Sequence, residues 1–197
     1  ARDLSILARA IIQDHPDHYS IYSEKYFKYN NINQPNRNRL LWRDSSVDGL
    51  KTGHTNAAGY CLVASAKRKD MRLISVVMGA TSDAARATES QKLFSYGFRH
   101  FETKTIYRAG DVIKENAKVW YGKDEFINLS ISDNIALTLP RGAQKNLSAN
   151  ILVNEQIKAP ISAGQELGRL QVSLDGEILV DKPIVSATAV EESGFIS

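Results

Sequence analysis

Apolar residues at Leu4, Leu7, Ala8, Ile11 and Ile12 recur at i, i+3, i+4, i+7 and i+8, the spacing of one helix face. The chain therefore opens on an amphipathic helix that stops near Asp14-His15-Pro16. No capping or lead-in segment precedes that helix, which creates the expectation that upstream sequence has been removed. Residues 20–29 are rich in Tyr, Phe and Lys and predict a short extended segment. The polar stretch Asn30 to Arg39 predicts a long loop, which Leu40-Leu41-Trp42 would anchor to the core.

The pattern then becomes strand-like. Tyr60 to Ala66 and Leu73 to Met78 are apolar, β-prone runs, and the charged turn Lys67-Arg68-Lys69-Asp70 between them predicts a hairpin. The preceding stretch, Val47 to Thr55, falls on a neighbouring outer strand. Thr81-Ser82-Asp83 offers capping groups for a helix from about Ala84 to Tyr96, with Gly97 as its stop. Arg86 would lie in the first turn, where the helix dipole disfavours a cation, so an anionic partner is expected: Glu89 or Glu102, or a substrate carboxylate.

From about Phe101 the helical pattern is gone. The segments 103–107, 112–121, 127–131, 135–139, 147–153, 168–174 and 178–185 are short and β-prone, separated by Gly, Asp, Asn or Pro. Asp175-Gly176 between two of them is a strong hairpin signal. The expected organisation is α+β: a mixed domain over 1–100, a small all-β domain over 101–190 and a linker over 191–197.

Composition narrows the function classes. A chain of 197 residues with 43% hydrophobic content can bury one large core or two small ones. Its net charge of +3 is mild, and the basic residues lack the aromatic interleaving of a nucleic-acid surface, which argues against a nucleic-acid partner. The single cysteine, Cys61, excludes an intrachain disulfide and is expected to be a buried thiol. No apolar run approaches the roughly 20 residues of a membrane-spanning helix. His15 and His18 could imitate a metal pair, but Pro16 breaks the helix that would align them, so they read as a surface turn and no metal site is expected.

The candidate chemistry lies in Asp48-Gly49-Leu50-Lys51-Thr52-Gly53-His54-Thr55. An exposed strand edge can bind an extended peptide through main-chain hydrogen bonds, with Lys51 as a cation and the Thr52 hydroxyl as a partner for a carboxylate. Gly53 lets a ligand approach closely, and the backbone N–H of His54 could face a developing oxyanion. A solvated strand end, with Lys51 and Thr52 simply facing water, is the plain alternative.

Together with Ala58-Gly59-Tyr60, Met71-Arg72-Leu73-Ile74-Ser75, Arg86, Glu89-Ser90 and Gly97-Phe98, that stretch resembles the low-molecular-mass penicillin-binding proteins that act as D-alanyl-D-alanine carboxypeptidases, the penicillin-binding protein 5 type. The likeness extends to Ala1-Arg2-Asp3, to Asn36-Arg37-Asn38 and to Leu137-Thr138-Leu139-Pro140-Arg141-Gly142. It implies part of a penicillin-binding, serine β-lactamase-like transpeptidase domain followed by a small all-β stalk. It also implies a serine acyltransferase with Ser-x-x-Lys, Ser-x-Asn and Lys-Thr-Gly motifs, a chemistry that needs no cofactor.

Only the third motif is in its place. No serine has lysine three positions on; Ser65 comes nearest, with Arg68 there. Ser132-Asp133-Asn134 and Ser148-Ala149-Asn150 match Ser-x-Asn but follow the Lys-Thr-Gly strand and read as turn residues. The resemblance therefore implies no catalytic residue in this chain, and a substrate-binding set of Lys51, Thr52, Gly53, His54 and Arg86. The implied partners are peptidoglycan pentapeptide stems, β-lactams, and the missing N-terminal part or another copy of the chain. The implied compartment is the periplasm, with inner-membrane attachment only through an absent C-terminal helix. Two other readings stay open: a non-catalytic peptide-binding or scaffolding module, and a β-lactamase, against which the all-β domain argues.

Overall fold

The structure, a computed structural model, describes residues 1–194. It is mixed helix and sheet and divides into two compact units, Ala1–Glu102 and the chain from Thr103 onward. In the first unit, β3 (Val47–Thr55), β4 (Gly59–Arg68) and β5 (Met71–Ala80) form an antiparallel sheet in that order. Helix α1 (Arg2–Asp14) brings Ala8, Ile11 and Ile12 into a cluster with Tyr19, Leu50, Val63 and Ile74. Helix α4 (Asp83–His100) buries Ala87 and Phe94 in a second cluster with Leu40, Leu41, Leu62, Ala64 and Ala66. Ala8, Ile11 and Ile12 of the predicted face of α1 thus meet the sheet, while Leu4 and Leu7 stay exposed.

Ser82 caps α4, its side chain accepting from the Ala85 N–H at 3.0 Å. The helix does not stop at Gly97 as expected but continues for three residues more. Gly97 is buried against β5, where an added Cβ would fall 2.5 Å from Leu73 Cδ1. Its smallness permits close packing of helix on sheet, and no left-handed turn is involved.

The stretch read as an extended segment and a long loop is more ordered than that. Pro16 begins a four-residue helix, α2 (Pro16–Tyr19), and a 3-10 turn follows over Ser20–Ser23. β1 (Tyr26–Tyr29) and β2 (Ile32–Pro35) then form a hairpin whose turn residues, Asn30 and Asn31, both have positive φ, 47° and 59°. Asparagine tolerates that conformation, so the turn signal was present without being read as a hairpin. Leu40 and Leu41 begin the short helix α3 (Leu40–Arg43) and are buried, while Trp42 stays partly exposed with its ring edge-on to Tyr26 at 5.8 Å. The His15 and His18 rings lie 6.5 Å apart, and no group of three or more His, Cys, Asp or Glu side chains among the described residues could hold a metal.

The second unit contains β6 (Phe101–Tyr107, from Thr103), β7 (Val112–Trp120), β8 (Phe126–Ser130), β9 (Ile135–Pro140), β10 (Leu147–Val153), β11 (Ile157–Lys158), β12 (Glu166–Leu174) and β13 (Glu177–Ser186). Six of them make one sheet in the order β10-β12-β13-β8-β7-β11, and β6 pairs with β9. Leu129, Leu170, Val172 and Ile184 lie at the centre of its core. The expected hairpin turn is present, Asp175 and Gly176 having φ of 49° and 88°. The two-residue β11, parallel to β7, is too short to carry a periodic signal. The Ser-x-Asn matches serve this unit: Asn134 accepts from the Ala109 N–H at 2.9 Å, and Ser148 shares a hydrogen bond with Ser173 at 2.9 Å. Of the stretch expected as linker, the Ser193 N–H donates to the Tyr121 carbonyl at 2.8 Å, and residues 195–197 lie outside the described residues.

A polar network ties β3 to the rest of the first unit. Arg72 clamps both oxygens of Asp48, at 2.8 and 2.7 Å, and donates to Ser65 at 2.6 Å, while the buried Tyr19 hydroxyl donates to Asp48 at 2.7 Å. Gly49 leaves room for that hydroxyl, since a Cβ there would lie 2.5 Å from it. Burial, followed by the neighbouring Asp48 carboxylate, pushes the Tyr19 phenol well above its ordinary value, outweighing the opposing Ser65 bond and Arg72 charge. A folded-state value that is raised means stability held below the unfolded value of about 10 and lost as pH climbs through it. Tyr19→Phe should therefore cost about 1 kcal/mol near neutral pH, through the lost hydrogen bond. It should also flatten the decline of stability above about pH 10. Urea denaturation of both proteins at neutral and alkaline pH measures this; identical alkaline slopes would contradict it.

Candidate substrate-binding strand

β3 enters the sheet through a set of local clasps. Asn38, fully buried, donates from its amide to the Gly49 carbonyl at 2.9 Å and accepts from the Leu40 N–H at 3.2 Å. Its own N–H is received by Asn36 Oδ1 at 2.9 Å. Asp44 accepts from the Ser46 N–H and from Arg68, each at 2.9 Å. Partial burial raises its carboxyl, but the bonds from Ser46 and Arg68 outweigh this and hold it below the ordinary value. With Arg72 on Asp48, these contacts fix the first half of β3.

The second half is open. Val47, Gly49 and Leu50 are buried, whereas Lys51, Gly53 and His54 are exposed and Thr52 is half-buried. Because β3 ends the sheet order, one side of this segment has no strand beside it among the described residues. Lys51 to His54 form a wall of a cleft of about 680 Å³ to which Asn36, Trp42 and Arg86 also contribute. The four sequence-predicted strand residues and Arg86 are therefore brought together. Lys51 Nζ rests on the Thr52 carbonyl at 2.6 Å.

Arg86 is buried, and its partners differ from the expected ones. Its carboxylate partner is Asp83, one helical turn earlier, rather than Glu89, which pairs with Lys92 at 2.8 Å. Asp83 also pairs with Arg39 and, in the first turn of α4, is itself favoured by the helix dipole. Three more guanidinium hydrogens go to the carbonyls of Gly53 at 3.1 Å, Cys61 at 3.3 Å and Arg37 at 3.4 Å. Arg86 thus joins β3, β4, the Asn36–Asn38 segment and α4 at the height of Gly53.

Tyr60 is the residue that reading the sequence missed. It stands opposite His54 in the β3–β4 register, with the rings 4.0 Å apart, and the Arg86 guanidinium lies 5.6 Å from its centre. The signal was available, since folding the hairpin back through Ala57-Ala58 brings 54 and 60 together. Cys61, expected buried, is only half-buried, opposite Gly53 and 3.6 Å from the Ala58 carbonyl. It faces an apolar groove of about 320 Å³ that Leu4, Leu7 and Ile11 of α1 line from the other side.

Residues 1–82 match the D-alanyl-D-alanine carboxypeptidase family, and residues 101–192 match the penicillin-binding protein 5, C-terminal domain. The D-alanyl-D-alanine carboxypeptidases DacC and DacA of Escherichia coli are 46% and 44% identical to the chain over 99% of its length. DacF of Bacillus subtilis is 34% identical over 100% of the chain. The chain spans about half the length of these relatives, 49% of DacC and DacA and 52% of DacF. Among solved structures, penicillin-binding protein 5 from Haemophilus influenzae superposes with a TM-score of 0.82 at 42% identity, over 98% of this chain and 56% of that one. Penicillin-binding protein 6B from E. coli gives 0.63 at 33% identity, over 92% and 48%. With its first unit matching the D-alanyl-D-alanine carboxypeptidase family and its second the penicillin-binding protein 5 C-terminal domain, in that order, the chain belongs to the penicillin-binding protein 5 family, of whose members it spans about half.

Proposed function

We propose that this chain supplies the substrate-holding strand and the β domain of a serine-type D-alanyl-D-alanine carboxypeptidase of peptidoglycan maturation. The whole protein would remove the terminal D-alanine of pentapeptide stems through an acyl-enzyme, and β-lactams would acylate the same serine. The observation that carries this reading is the open edge of β3, held rigidly from behind and bordering a cleft through Lys51, Thr52, Gly53 and His54.

A stem peptide laid along that edge takes main-chain hydrogen bonds, with Lys51 and Thr52 holding its terminal carboxylate. The serine gives its proton to the general base as its oxygen bonds to the carbonyl carbon between the two D-alanines; the C–N bond breaks, the departing D-alanine nitrogen takes that proton, and water then hydrolyses the acyl ester and frees the serine. The His54 N–H stabilises the oxyanion of that step together with the serine's own N–H, each such donor being worth roughly 3 kcal/mol. Arg86 acts one step back, as a positioning residue: it holds the Gly53 carbonyl and so sets where the strand presents its donors. The serine, its lysine and the second serine come from sequence outside this chain, a reading supported by its covering half of its relatives. The apolar groove beside α1 is the surface on which that upstream sequence packs.

In the cell the protein would work in the periplasm, attached to the inner membrane by sequence beyond this chain. Among the described residues no helix is long and apolar enough to cross a membrane.

The pure chain should release no D-alanine from a pentapeptide and gain no mass on incubation with a penicillin, as read by intact mass spectrometry. Addition of the drug's mass to this chain would place the nucleophile within it and sink the assignment. In the whole protein, Arg86→Ala should lower kcat/KM for a pentapeptide by about a hundredfold, the scale of a small misplacement of positioned groups. Arg86→Lys should recover only part, because it keeps the charge and loses the fork. Wild-type rates in both variants would remove Arg86 from the site.

A further inference from the structure

The second unit carries an unguarded strand edge. β10 closes one end of the six-stranded sheet and pairs with β12 alone, through seven consecutive positions without a register shift. Edge strands are ordinarily protected by charge, proline, a bulge or shortness. β10, Leu147-Ser148-Ala149-Asn150-Ile151-Leu152-Val153, has none of these, and its Ile151 and Leu152 are 40% and 46% exposed. The opposite end of the same sheet is guarded: β11 is two residues long, ends in Lys158 and is followed by Pro160.

The free hydrogen-bonding groups of β10 can be identified. The Asn154 N–H donates to the Leu167 carbonyl at 3.0 Å, in line with the β10–β12 register. Alternation then turns the even-numbered residues of β10 toward β12 and the backbone groups of Leu147, Ala149, Ile151 and Val153 outward. The Leu147 N–H is already used, closing the 3-10 turn onto Gln144. The amides of Ala149, Ile151 and Val153 and the carbonyls of all four remain for a partner.

We propose that this edge pairs with β10 of a second copy of the chain, antiparallel and centred on Asn150, to form one continuous sheet across a two-fold axis. The sequence around Asn150 is self-complementary. An antiparallel partner in that register sets Leu147 against Val153, Ser148 against Leu152 and Ala149 against Ile151. Beyond the paired strands, the 3-10 turn carrying Lys145 falls at the end where the other copy's strand runs on toward Glu155, so opposite charges lie near one another at both ends. The parity also agrees. Each outward residue meets another outward residue, so Ala149 and Ile151 exchange hydrogen bonds, while Asn150 meets its own copy in a non-hydrogen-bonded pair. Leu147 and Val153 already pack on the core of their own unit, so the pairing continues that apolar row from one copy into the next and covers Ile151. An unrelated peptide would gain the main-chain bonds but not the matched charges at both ends, which is why a second copy is the favoured occupant.

The test is a cysteine scan of the whole chain in a Cys61→Ser background, with sedimentation as a second readout. At a non-hydrogen-bonded antiparallel pair the two Cα atoms lie about 4.5 Å apart, within the disulfide range of about 4.4–6.8 Å. Asn150→Cys should therefore oxidise to a dimer on a non-reducing gel, whereas Ser148→Cys and Leu152→Cys, each facing a different residue of the partner, should stay monomeric. Ala149→Pro removes an N–H that points outward and leaves every bond to β12 in place, so it should shift the chain to the monomer mass with an unchanged circular dichroism spectrum. A monomeric chain with no cross-link at Asn150→Cys would overturn the proposal. So would a dimer that ignores Ala149→Pro, the behaviour expected if copies associate through the groove beside α1 instead.

Discussion

A strand offered to a ligand has no neighbour on its open side, so everything that holds it in place must come from behind, beneath or along the chain. β3 meets this constraint in three places. The Asn38 amide takes the Gly49 carbonyl, Arg72 clamps Asp48 from β5, and Arg86 reaches from α4 to the Gly53 carbonyl. Each is a side chain bonded to a strand that would otherwise fray, and together they bracket Lys51 and Thr52. The Lys51–Thr52 segment is thus tied down on both sides without being covered.

The three ties differ in how they are sustained. Arg86 is buried, which is costly for a lone cation, and only the Asp83 carboxylate and three backbone carbonyls make that placement tolerable. Arg72 is less buried and relies on a two-pronged contact with Asp48, to which the Tyr19 hydroxyl adds a third bond. Asn38 carries no charge; its side chain bonds the Gly49 carbonyl and the Leu40 N–H, and its own N–H goes to Asn36. Removing one partner of such a group leaves the other buried and unpaired, so these residues bind the loop before β3, the strand itself and α4 into one mechanical unit.

The two sheets treat their edges in opposite ways. At β3 the open edge is polar and flanked by a cleft, suited to a ligand that comes and goes. At β10 it is uncharged, regular and part of a sheet with its own core, suited to a longer-lived strand partner. Both follow from the same backbone geometry, and side-chain chemistry decides the difference.

Much was legible along the chain because local signals agreed with one another. The period of Leu4, Leu7 and Ile11 gave α1, and the alternating runs after residue 100 gave most of the strands of the second unit. Asp175-Gly176 gave its hairpin, and the order of motifs around Lys51-Thr52-Gly53 gave the family. Gly97 misled, because a glycine required by close packing looks the same in a sequence as one that ends a helix. Asn30-Asn31 reads as loop in the sequence because the strands it joins are four residues each and exposed throughout. By itself the sequence determined which segments are helix or strand and which motif one edge displays, since those depend on neighbours a few residues away. Only the tertiary structure decided that Arg86 reaches the carbonyls of Gly53, Cys61 and Arg37, 33, 25 and 49 positions away. Those contacts arise when β3, β4 and α4 are packed together, and the residue types of the partners, a backbone carbonyl above all, leave no mark in the one-dimensional pattern.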